Sequence, residues 1–383
     1  MQTAFWLLTG IAAYVYAGYP AVLCLIAALR PVRTVAQSRT DLPVTLVISA
    51  FNEEGVIADK LRNSLSLDYP RSLLQIIVVS DASDDRTDEI VTGFASEGVE
   101  LLRMPQRGGK TSGLNEVVKQ ARGEIIVFSD ANAMYRPDAV ARLASNFSDP
   151  RVGCVVGESR YYDSETQSEM SEGLYWKYET AIKRLETRIG SVVGGDGAIY
   201  AIRRALYVPM AADSLSDFMN PLQIVRAGYR CVYEPAAQSY EYAGKSFRKE
   251  FARKVRIVNR GWRATLAMRT LMNPFRHGLF AFELISHKLL RWLMPLCMLA
   301  VLACNLWLVA GTPQRAPVYA VLLAGQVLFY ALALTGHLLR NSASLPRLVI
   351  VPYYFCLVNL ASAIGIIDAY RGRRYVTWTP MRT

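Results

Sequence analysis

The chain has 383 residues, of which 52% are hydrophobic, and its formal net charge is +11 at neutral pH. A mean hydropathy of +0.17 is too high for an ordinary soluble enzyme, yet a long segment of normal charge density excludes a protein made only of membrane spans. All 3 histidines follow residue 276, which argues against a histidine-based hydrolase or zinc site before it. We therefore expect one globular domain together with a membrane part.

The first apolar run, residues 3–29, is long enough to cross the roughly 30 Å of hydrocarbon in a bilayer. It lacks Lys or Arg at its start, it is too long for a signal-peptide core, and Arg30, Arg33 and Arg39 follow it. We interpret it as a retained anchor. The positive-inside rule then places the following segment in the cytoplasm.

Short β-rich runs alternate with helical patterns in that segment. Strands are predicted at 44–50, 75–80, 99–102 and 124–129, and helices at 53–65, 86–96, 110–120 and 137–146. This alternation is typical of a parallel, doubly wound α/β sheet. Because ligands bind at the carboxyl ends of such strands, polar residues that follow the strands are expected to converge on one crevice.

Polar residues follow the first two strands. Asn52 and Glu53 come after the first, and an acidic cluster that begins at Asp81 comes after the second. The Asp81 carboxylate can accept a hydrogen bond from a nucleotide base or a ribose hydroxyl. Asp84 is equally suited to cap the next helix.

A glycine pair with a lysine precedes the predicted helix at 110–120. Gly108 and Gly109 can let backbone N–H groups approach a phosphate, and Lys110 adds a positive charge. The same residues also suit an ordinary loop before an amphipathic helix. Their position between two acidic clusters favours the phosphate interpretation.

Asp130 and Asn132 follow the fourth strand. They offer hard oxygen ligands of the kind that Mg²⁺ or Mn²⁺ prefers, and substrate phosphates can complete the shell. Asn132 is neutral and holds a metal less strongly than a second Asp. The alternative is that both residues belong to a turn before the next helix.

A glycine-rich loop and a further carboxylate lie later in the domain. Gly195, Asp196 and Gly197 form a loop that suits an acceptor or a plain connection. Asp217 precedes a predicted helix at 219–226. With no histidine available, a general base must be a carboxylate, so Asp217 is the candidate, although it could equally cap the helix.

Residues 245–276 contain 10 Lys or Arg and a single acid, Glu250. Apolar residues recur there every three or four positions, which predicts an amphipathic helix at the membrane surface. Lipid headgroups and phosphorylated ligands are more suitable partners for it than nucleic acid. Arg256, Arg260 and Trp262 are its candidates for the active site.

In this order and combination, the motifs resemble those of membrane-bound family 2 glycosyltransferases. This family includes cellulose, hyaluronan and chitin-oligosaccharide synthases and bacterial exopolysaccharide enzymes, and the resemblance extends from about residue 44 to the tail. It implies a GT-A fold, which is a Rossmann-like α/β domain for nucleotide-diphospho-sugars, inserted between transmembrane helices. It also implies an inverting hexosyl- or N-acetylhexosaminyltransferase that uses a UDP-sugar and Mg²⁺ or Mn²⁺.

The resemblance also implies roles for single residues. Asp130 and Asn132 would hold the metal, and Asp217 would deprotonate the acceptor hydroxyl. The acceptor site would contain Gly195, Asp196, Gly197 and Trp262. The nucleotide-sugar site would contain Asn52, Glu53, Asp81 (on the uracil), Gly109, Lys110, Asp130, Arg256 and Arg260.

Two departures from the family leave alternatives open. The metal motif usually has Asp where this chain has Asn132, and residues 256–262 replace the Gln-x-x-Arg-Trp motif of processive synthases. Processive and single addition therefore both stay open. Transfer to a polyprenyl phosphate is an alternative function, and a non-catalytic nucleotide-binding membrane subunit is another.

The expected organisation places the transferase domain between membrane helices. Three further apolar runs, at residues 292–310, 318–339 and 348–367, bring the number of candidate spans to four. Four spans that start from an outside N-terminus would leave the tail's arginines outside, so one C-terminal segment is interpreted as re-entrant or interfacial. Expected partners are a UDP-sugar, a glycan or lipid-linked acceptor, the bacterial plasma membrane, and export or synthase subunits. The predicted parts are a transmembrane helix (1–30), a cytoplasmic GT-A domain (41–245), basic interfacial helices (246–291), transmembrane helices (292–370) and a basic tail (371–383).

Overall fold

The computed structural model describes residues 1–30, 35, 37–38, 41–161, 167–241, 247–311, 316–340 and 346–377. The chain begins with α1 (Gln2–Ala13), which continues through a π-helical turn (Tyr14–Gly18) into α2 (Tyr19–Leu29). This continuous apolar helix is long enough to span a membrane, as predicted for residues 3–29.

Four parallel strands form one half of an eight-stranded sheet. The strands are β1 (Val44–Ala50), β2 (Leu74–Ser80), β3 (Val99–Arg103) and β4 (Ile125–Asp130), and between them lie α3 (Ile57–Leu65), α4 (Thr87–Gly93) and α5 (Lys110–Gln120). Each strand differs from its predicted ends by one residue at most. The predicted helix at 53–65 begins later because the chain first turns at Asn52, which has a φ of 52°.

The other half of the sheet is mostly antiparallel. Its elements are β5 (Met134–Tyr135), α6 (Ala139–Ser145), β6 (Val152–Tyr161), α7 (Gln167–Ile189), β7 (Ile199–Arg203), α8 (Ser216–Arg226) and β8 (Arg230–Glu241). The strand order is β3-β2-β1-β4-β7-β6-β8-β5. Because β7 enters beside β4 from the opposite end, it pairs antiparallel with β4 and β6. The prediction of a parallel sheet is therefore wrong for this half.

Helices cover both faces of the parallel half. Every residue of β1 and β2 is buried, which is typical of strands in such a sheet. Leu46 and Ile48 pack in the core on one face, whereas Val47 and Ile77 pack on the other. With both faces filled by apolar side chains, polar chemistry is confined to the loops at the strand ends.

The C-terminal part is helical. It contains α9 (Phe247–Ala267), α10 (Pro274–His277), α11 (Leu279–Glu283), a π-helical turn (Leu284–Leu289), α12 (Leu290–Gly311), α13 (Ala316–Leu338) and α14 (Arg347–Tyr370). Within the described residues, three stretches here are long and apolar enough to cross a membrane: Leu279–Gly311, Pro317–Leu338 and Arg347–Tyr370. They contain or nearly match the predicted apolar runs at 292–310, 318–339 and 348–367.

Helix α14 packs along the basic helix α9. Asn259 on α9 donates a side-chain hydrogen bond of 3.2 Å to the carbonyl oxygen of Gly365. A Cβ at Gly365 would lie 2.8 Å from the Val255 carbonyl oxygen, so only glycine allows this approach. The apolar stripe of α9 is therefore buried in part against α14, which directs the end of α14 towards the globular domain.

Candidate active site

Asp81 holds the loop that precedes α5. Its buried carboxylate accepts from the backbone N–H of Gly108 at 2.7 Å and from that of Gly109 at 3.0 Å. Burial raises the pKa of Asp81, and these two donors and the Arg107 guanidinium oppose that shift. In this conformation the carboxylate fixes the glycine loop, and the contact with uracil stays a prediction.

The ends of β1 and β2 are tied together by their loops. The Asn52 side-chain oxygen accepts from the backbone N–H of Asp84 at 3.0 Å, and the N–H of Glu53 donates to the Thr87 hydroxyl at 2.8 Å. The predicted donor-site residues Asn52 and Glu53 therefore lie at the carboxyl edge of the sheet, beside the loop after β2.

Three charged groups converge around Gly197. Lys110 Nζ lies 2.5 Å from Asp130 Oδ1 and donates to the Gly197 carbonyl oxygen at 3.1 Å. A Cβ placed on Gly197 would lie 3.3 Å from Asp217 Oδ2, 3.5 Å from Lys110 Nζ and 3.7 Å from Asp130 Oδ2. Residues from four elements thus meet in one space: β4, α5, α8 and the loop before β7. This space stays open because Gly197 has no side chain.

Asp217 is positioned by the glycine-rich loop. Its carbonyl oxygen accepts from the Gly195 N–H at 2.7 Å, and a Cβ on Gly195 would overlap that oxygen. Burial raises the pKa of the Asp217 carboxyl group, the charge of Lys110 lowers it, and that of Asp196 raises it. A carboxylate with a raised pKa beside an ammonium group is suited to accept a proton from a hydroxyl.

Two arginines of α9 reach the same region. Arg260 is buried, and its guanidinium donates to the Asp213 carbonyl oxygen at 3.1 Å and to the Thr111 hydroxyl at 3.2 Å. Burial lowers the pKa of Arg260 to about 10. Burial also lowers the pKa of Arg256, and the negative charge of Asp130 opposes that shift. Arg260 therefore anchors the loop before α8 to α5, while the charge of Asp130 acts on Arg256.

Trp262 lies apart from these residues. Only 6% of its surface is exposed, and its ring meets Tyr370 of α14 with ring centroids 6.2 Å apart. It belongs to an apolar core together with Phe218 and Trp292. The stacking of Trp262 on an acceptor sugar stays a prediction, and in this conformation neighbouring side chains cover the ring.

The residues at the end of β4 fit a divalent cation that substrate phosphates help to bind. In the described part of the chain, no three imidazole, thiol or carboxyl groups are arranged to hold a metal by themselves. However, Asp196 Oδ2 and Glu241 Oε1 are buried without a hydrogen-bond partner among the described residues. Burial, together with the charges of Asp130 and Asp196, raises the pKa of Glu241 to about 8. A cation bound beside these oxygens would favour the ionised form of Glu241.

The C-terminal segment, residues 371–377, lies over the glycine loop. The Val376 carbonyl oxygen occupies the space where a Cβ of Gly109 would be. Asn259 donates to the Arg373 carbonyl oxygen at 3.3 Å, and the Arg374 guanidinium lies 3.7 Å from Asp213. Nothing in the sequence pattern predicted this contact.

A buried polar cluster was also missed from the sequence. Glu186 of α7 accepts from the Tyr19 hydroxyl at 2.7 Å and lies 2.6 Å from His287 Nδ1. The other ring nitrogen of His287 lies 3.1 Å from Glu179, which also pairs with Arg291. The cluster joins α2, α7 and the start of α12. The sequence feature that could have indicated this cluster is the spacing of His287 and Arg291, which lie one helical turn apart beside an apolar run.

Comparisons with known proteins show which sequences and folds this chain is similar to. Residues 45–207 match the sequence model of glycosyl transferase family 2. The chain is similar to the poly-beta-1,6-N-acetyl-D-glucosamine synthase of Staphylococcus aureus (strain MSSA476), with 26% identity over 225 residues, which cover 57% of this chain and 54% of the relative. It is also similar to the probable glycosyltransferase YdaM of Bacillus subtilis (strain 168), with 29% identity over 245 residues and coverages of 57% and 56%. The chain thus spans about half the length of these curated relatives.

The fold has a close counterpart among solved structures. The mannosyltransferase PcManGT from Pyrobaculum calidifontis, in complex with GDP-Man and Mn²⁺, superposes with a TM-score of 0.74 over 97% of this chain and 100% of its own, at 21% identity. At this identity the likeness shows a shared fold, which confirms the GT-A architecture expected from the motifs. This protein therefore has a GT-A fold, in which residues 45–207 match glycosyl transferase family 2, set among apolar helices long enough to cross a membrane.

Proposed function

We propose that this protein is an inverting, metal-dependent glycosyltransferase that moves a sugar from a UDP-sugar to a hydroxyl group of a growing polysaccharide or lipid-linked glycan. The observation that carries the proposal is the convergence of Asp217, Lys110 and Asp130 around Gly197. It brings a candidate base, a positive charge and a metal-binding carboxylate within reach of one reacting centre.

The donor diphosphate would bind at the start of α5. Lys110 supplies a charge there, and the N-terminal end of the helix favours anions. Asp130 and Asn132 would hold the cation, which when bound neutralises negative charge on the leaving UDP. Asn52, Glu53, Asp81 and Arg256 are the further candidates for contacts with the nucleotide.

Asp217 would accept the proton of the acceptor hydroxyl. As the new bond forms between that oxygen and the anomeric carbon, the bond from this carbon to the diphosphate breaks on the opposite side, so the configuration inverts. The Gly195–Asp217 hydrogen bond supports this role because it fixes the backbone beneath the base. Gly195, Asp196 and Gly197 would line the acceptor side, since their loop lies against Asp217.

A role in exopolysaccharide or cell-surface glycan synthesis is supported by the name of the staphylococcal relative, a poly-beta-1,6-N-acetyl-D-glucosamine synthase. We propose the inner face of the plasma membrane as the site of reaction, because arginines follow the first apolar helix. Residues 371–377 return to the globular domain, which supports our proposal that the chain crosses the membrane an even number of times between that domain and these residues. Helix α14, which lies along the basic helix α9, is then the segment that stays at the membrane surface.

The proposal is tested by measuring UDP or GDP release from the purified full-length protein. A panel of UDP-sugars together with GDP-mannose is supplied with Mg²⁺ or Mn²⁺ and native lipid extract, and Asp217→Asn is run in parallel. We expect one preferred UDP-sugar, dependence on the metal, and a loss of about 10²- to 10⁴-fold in Asp217→Asn. Nucleotide binding without turnover of any donor would instead support a non-catalytic subunit.

A second candidate function is transfer to a polyprenyl phosphate. A groove of about 210 Å³ between the apolar helices, lined by Thr9, Tyr16, Met298 and Phe355 among others, could take part of a lipid chain. A phosphate acceptor is already ionised and needs no general base. Near wild-type activity of Asp217→Asn on polyprenyl phosphate would favour this function over transfer to a hydroxyl group.

A further inference from the structure

Glu241, the last residue of β8, reaches the turn that follows β4. In the antiparallel pairing of β5 with β8, Met134 lies opposite Tyr240. Continuing this register by one residue places Glu241 opposite Ala133, directly after Asn132. The strand pair therefore brings a carboxyl group from the far side of the sheet to the turn that carries the metal motif.

One carboxyl oxygen of Glu241 is available to bind a ligand. Its Oε1 is buried and has no hydrogen-bond partner among the described residues. Asp130 and Asp196 are the negative charges that act on it most strongly. Leaving a buried carboxyl oxygen without a hydrogen-bond partner costs free energy. A cation bound between these groups would remove that cost.

A buried lysine fixes the same turn. Lys60 of α3 has no exposed surface; its ammonium group donates to the Ala133 carbonyl oxygen and lies 3.9 Å from the centroid of the Tyr135 ring. The ammonium group is thus directed to the turn backbone and the aromatic ring. It holds the residues opposite Glu241 in place, as a metal site needs.

We propose that Glu241 is a third protein ligand, with Asp130 and Asn132, of the divalent cation that binds the donor diphosphate. The inference rests on the proposed function, and it explains how the site works with a neutral amide at Asn132. Glu241 supplies the second carboxylate, which hard cations prefer, and it does so from β8 instead of from the motif itself.

The test measures Mn²⁺ binding to the full-length protein in detergent, in the presence of UDP, from the electron paramagnetic resonance signal of free Mn²⁺. The variants are Glu241→Gln, Asn132→Asp and the double variant. Glu124→Gln is the matched control, since Glu124 lies just before β4 at the opposite end of the strand and its side chain is 55% exposed. Metal-free UDP binding by calorimetry, together with thermal unfolding, reports whether each variant is folded.

We expect Glu241→Gln to weaken Mn²⁺ binding at least about tenfold while metal-free UDP binding is kept, because loss of support for a metal typically costs about 10- to 100-fold. Asn132→Asp should restore most of that loss in the double variant, because it returns a carboxylate to the same turn. Glu124→Gln should bind as the wild type does.

The outcomes separate this inference from the proposed function. If wild-type protein binds Mn²⁺ with UDP and Glu241→Gln binds it equally well, Glu241 is not a ligand and the metal-dependent function stands. If the wild type shows no Mn²⁺ binding with UDP, both are overturned. Should Glu241→Gln lose Mn²⁺ binding without rescue by Asn132→Asp, Glu241 acts other than by supplying the missing carboxylate, and the inference is wrong.

Discussion

The carbonyl oxygen of Val376 occupies the place that a Cβ on Gly109 would take, so the C-terminal segment covers the loop where the donor diphosphate is proposed to bind. Gly109 has a φ of 84°, in the left-handed region that favours glycine. Its N–H donates to Asp81, which ties this backbone conformation to the loop geometry. The position of the C-terminal segment and the backbone conformation of the glycine loop therefore depend on one another.

Gly109→Ala is expected to raise the KM for the donor at least about tenfold. The new methyl group adds backbone strain of about 1 kcal/mol and overlaps the Val376 carbonyl oxygen. Both effects displace the N–H that donates to Asp81, and a hydrogen bond to a charged group is worth about 1.5–3 kcal/mol. Nucleotide release measured against donor concentration gives the KM.

The controls for this variant separate strain from the contact with the tail. Gly228 has a φ of 90° and nothing within 4 Å of a Cβ, so Gly228→Ala adds strain from a positive φ without an overlap and should keep the donor KM. Removing residues 376–383 in the Gly109→Ala background should recover part of the lost affinity. An unchanged KM after that truncation would show that the tail contact plays no part.

The pH profile of kcat/KM should report the charges around Asp217. A base acts only when it is deprotonated, so a raised pKa moves the acidic limb above that of an ordinary Asp, whose pKa is about 3.9. After burial, Lys110 and Arg260 lower this pKa, whereas Asp196 and Asp130 raise it. Asp196→Asn removes one negative charge and should therefore move the acidic limb to lower pH. An identical limb in both proteins would mean that another group controls it.

Local patterns were sufficient to predict the parallel strands and the convergence of several candidate site residues. Asp81, Lys110 and Asp130 follow strands or open a helix in the same half of the sheet, and parallel topology brings such positions to one edge. Asp217 was predicted only from the lack of histidines, and its position beside Gly197 depends on β7 pairing with β4. The antiparallel entry of β7 has no local signature, because pairing between distant segments is decided by the whole fold.

Contacts between distant parts of the chain account for the rest. Trp262 sits on a helix with the expected periodicity, but α14 covers the face that carries it. The Arg260 guanidinium donates to the loop before α8, so it is not open to a ligand in this conformation. The position of Val376 on Gly109 joins residues 267 apart in the sequence, as follows from their numbers, and no periodicity encodes such a contact.

Lys110→Met is expected to raise the donor KM by about 10- to 100-fold. The substitution removes the ammonium group that contacts Asp130 and Gly197, and charge-assisted contacts to phosphate are worth about 1.5–3 kcal/mol. Lys119→Met on the same helix is the matched control, because Lys119 is exposed and pairs only with Glu116 among the described ion pairs. If both variants raise the KM equally, general charge and not the position of Lys110 sets donor affinity.

His287→Ala should destabilise the protein far more than Tyr19→Phe, a smaller change in the same buried cluster. The imidazole separates Glu179 from Glu186, and its loss leaves two buried carboxylates with fewer partners, at a cost of about 3–5 kcal/mol. Tyr19→Phe removes one hydrogen bond to Glu186 and should cost about 1 kcal/mol. Thermal unfolding in detergent, followed by tryptophan fluorescence, measures both effects.

His337→Ala, at an exposed position on α13, is the control and should melt as the wild type does. Adding Glu186→Gln to His287→Ala should recover stability because it removes one buried charge. Equal melting of His287→Ala and His337→Ala would show that the cluster does not hold α2, α7 and α12 together.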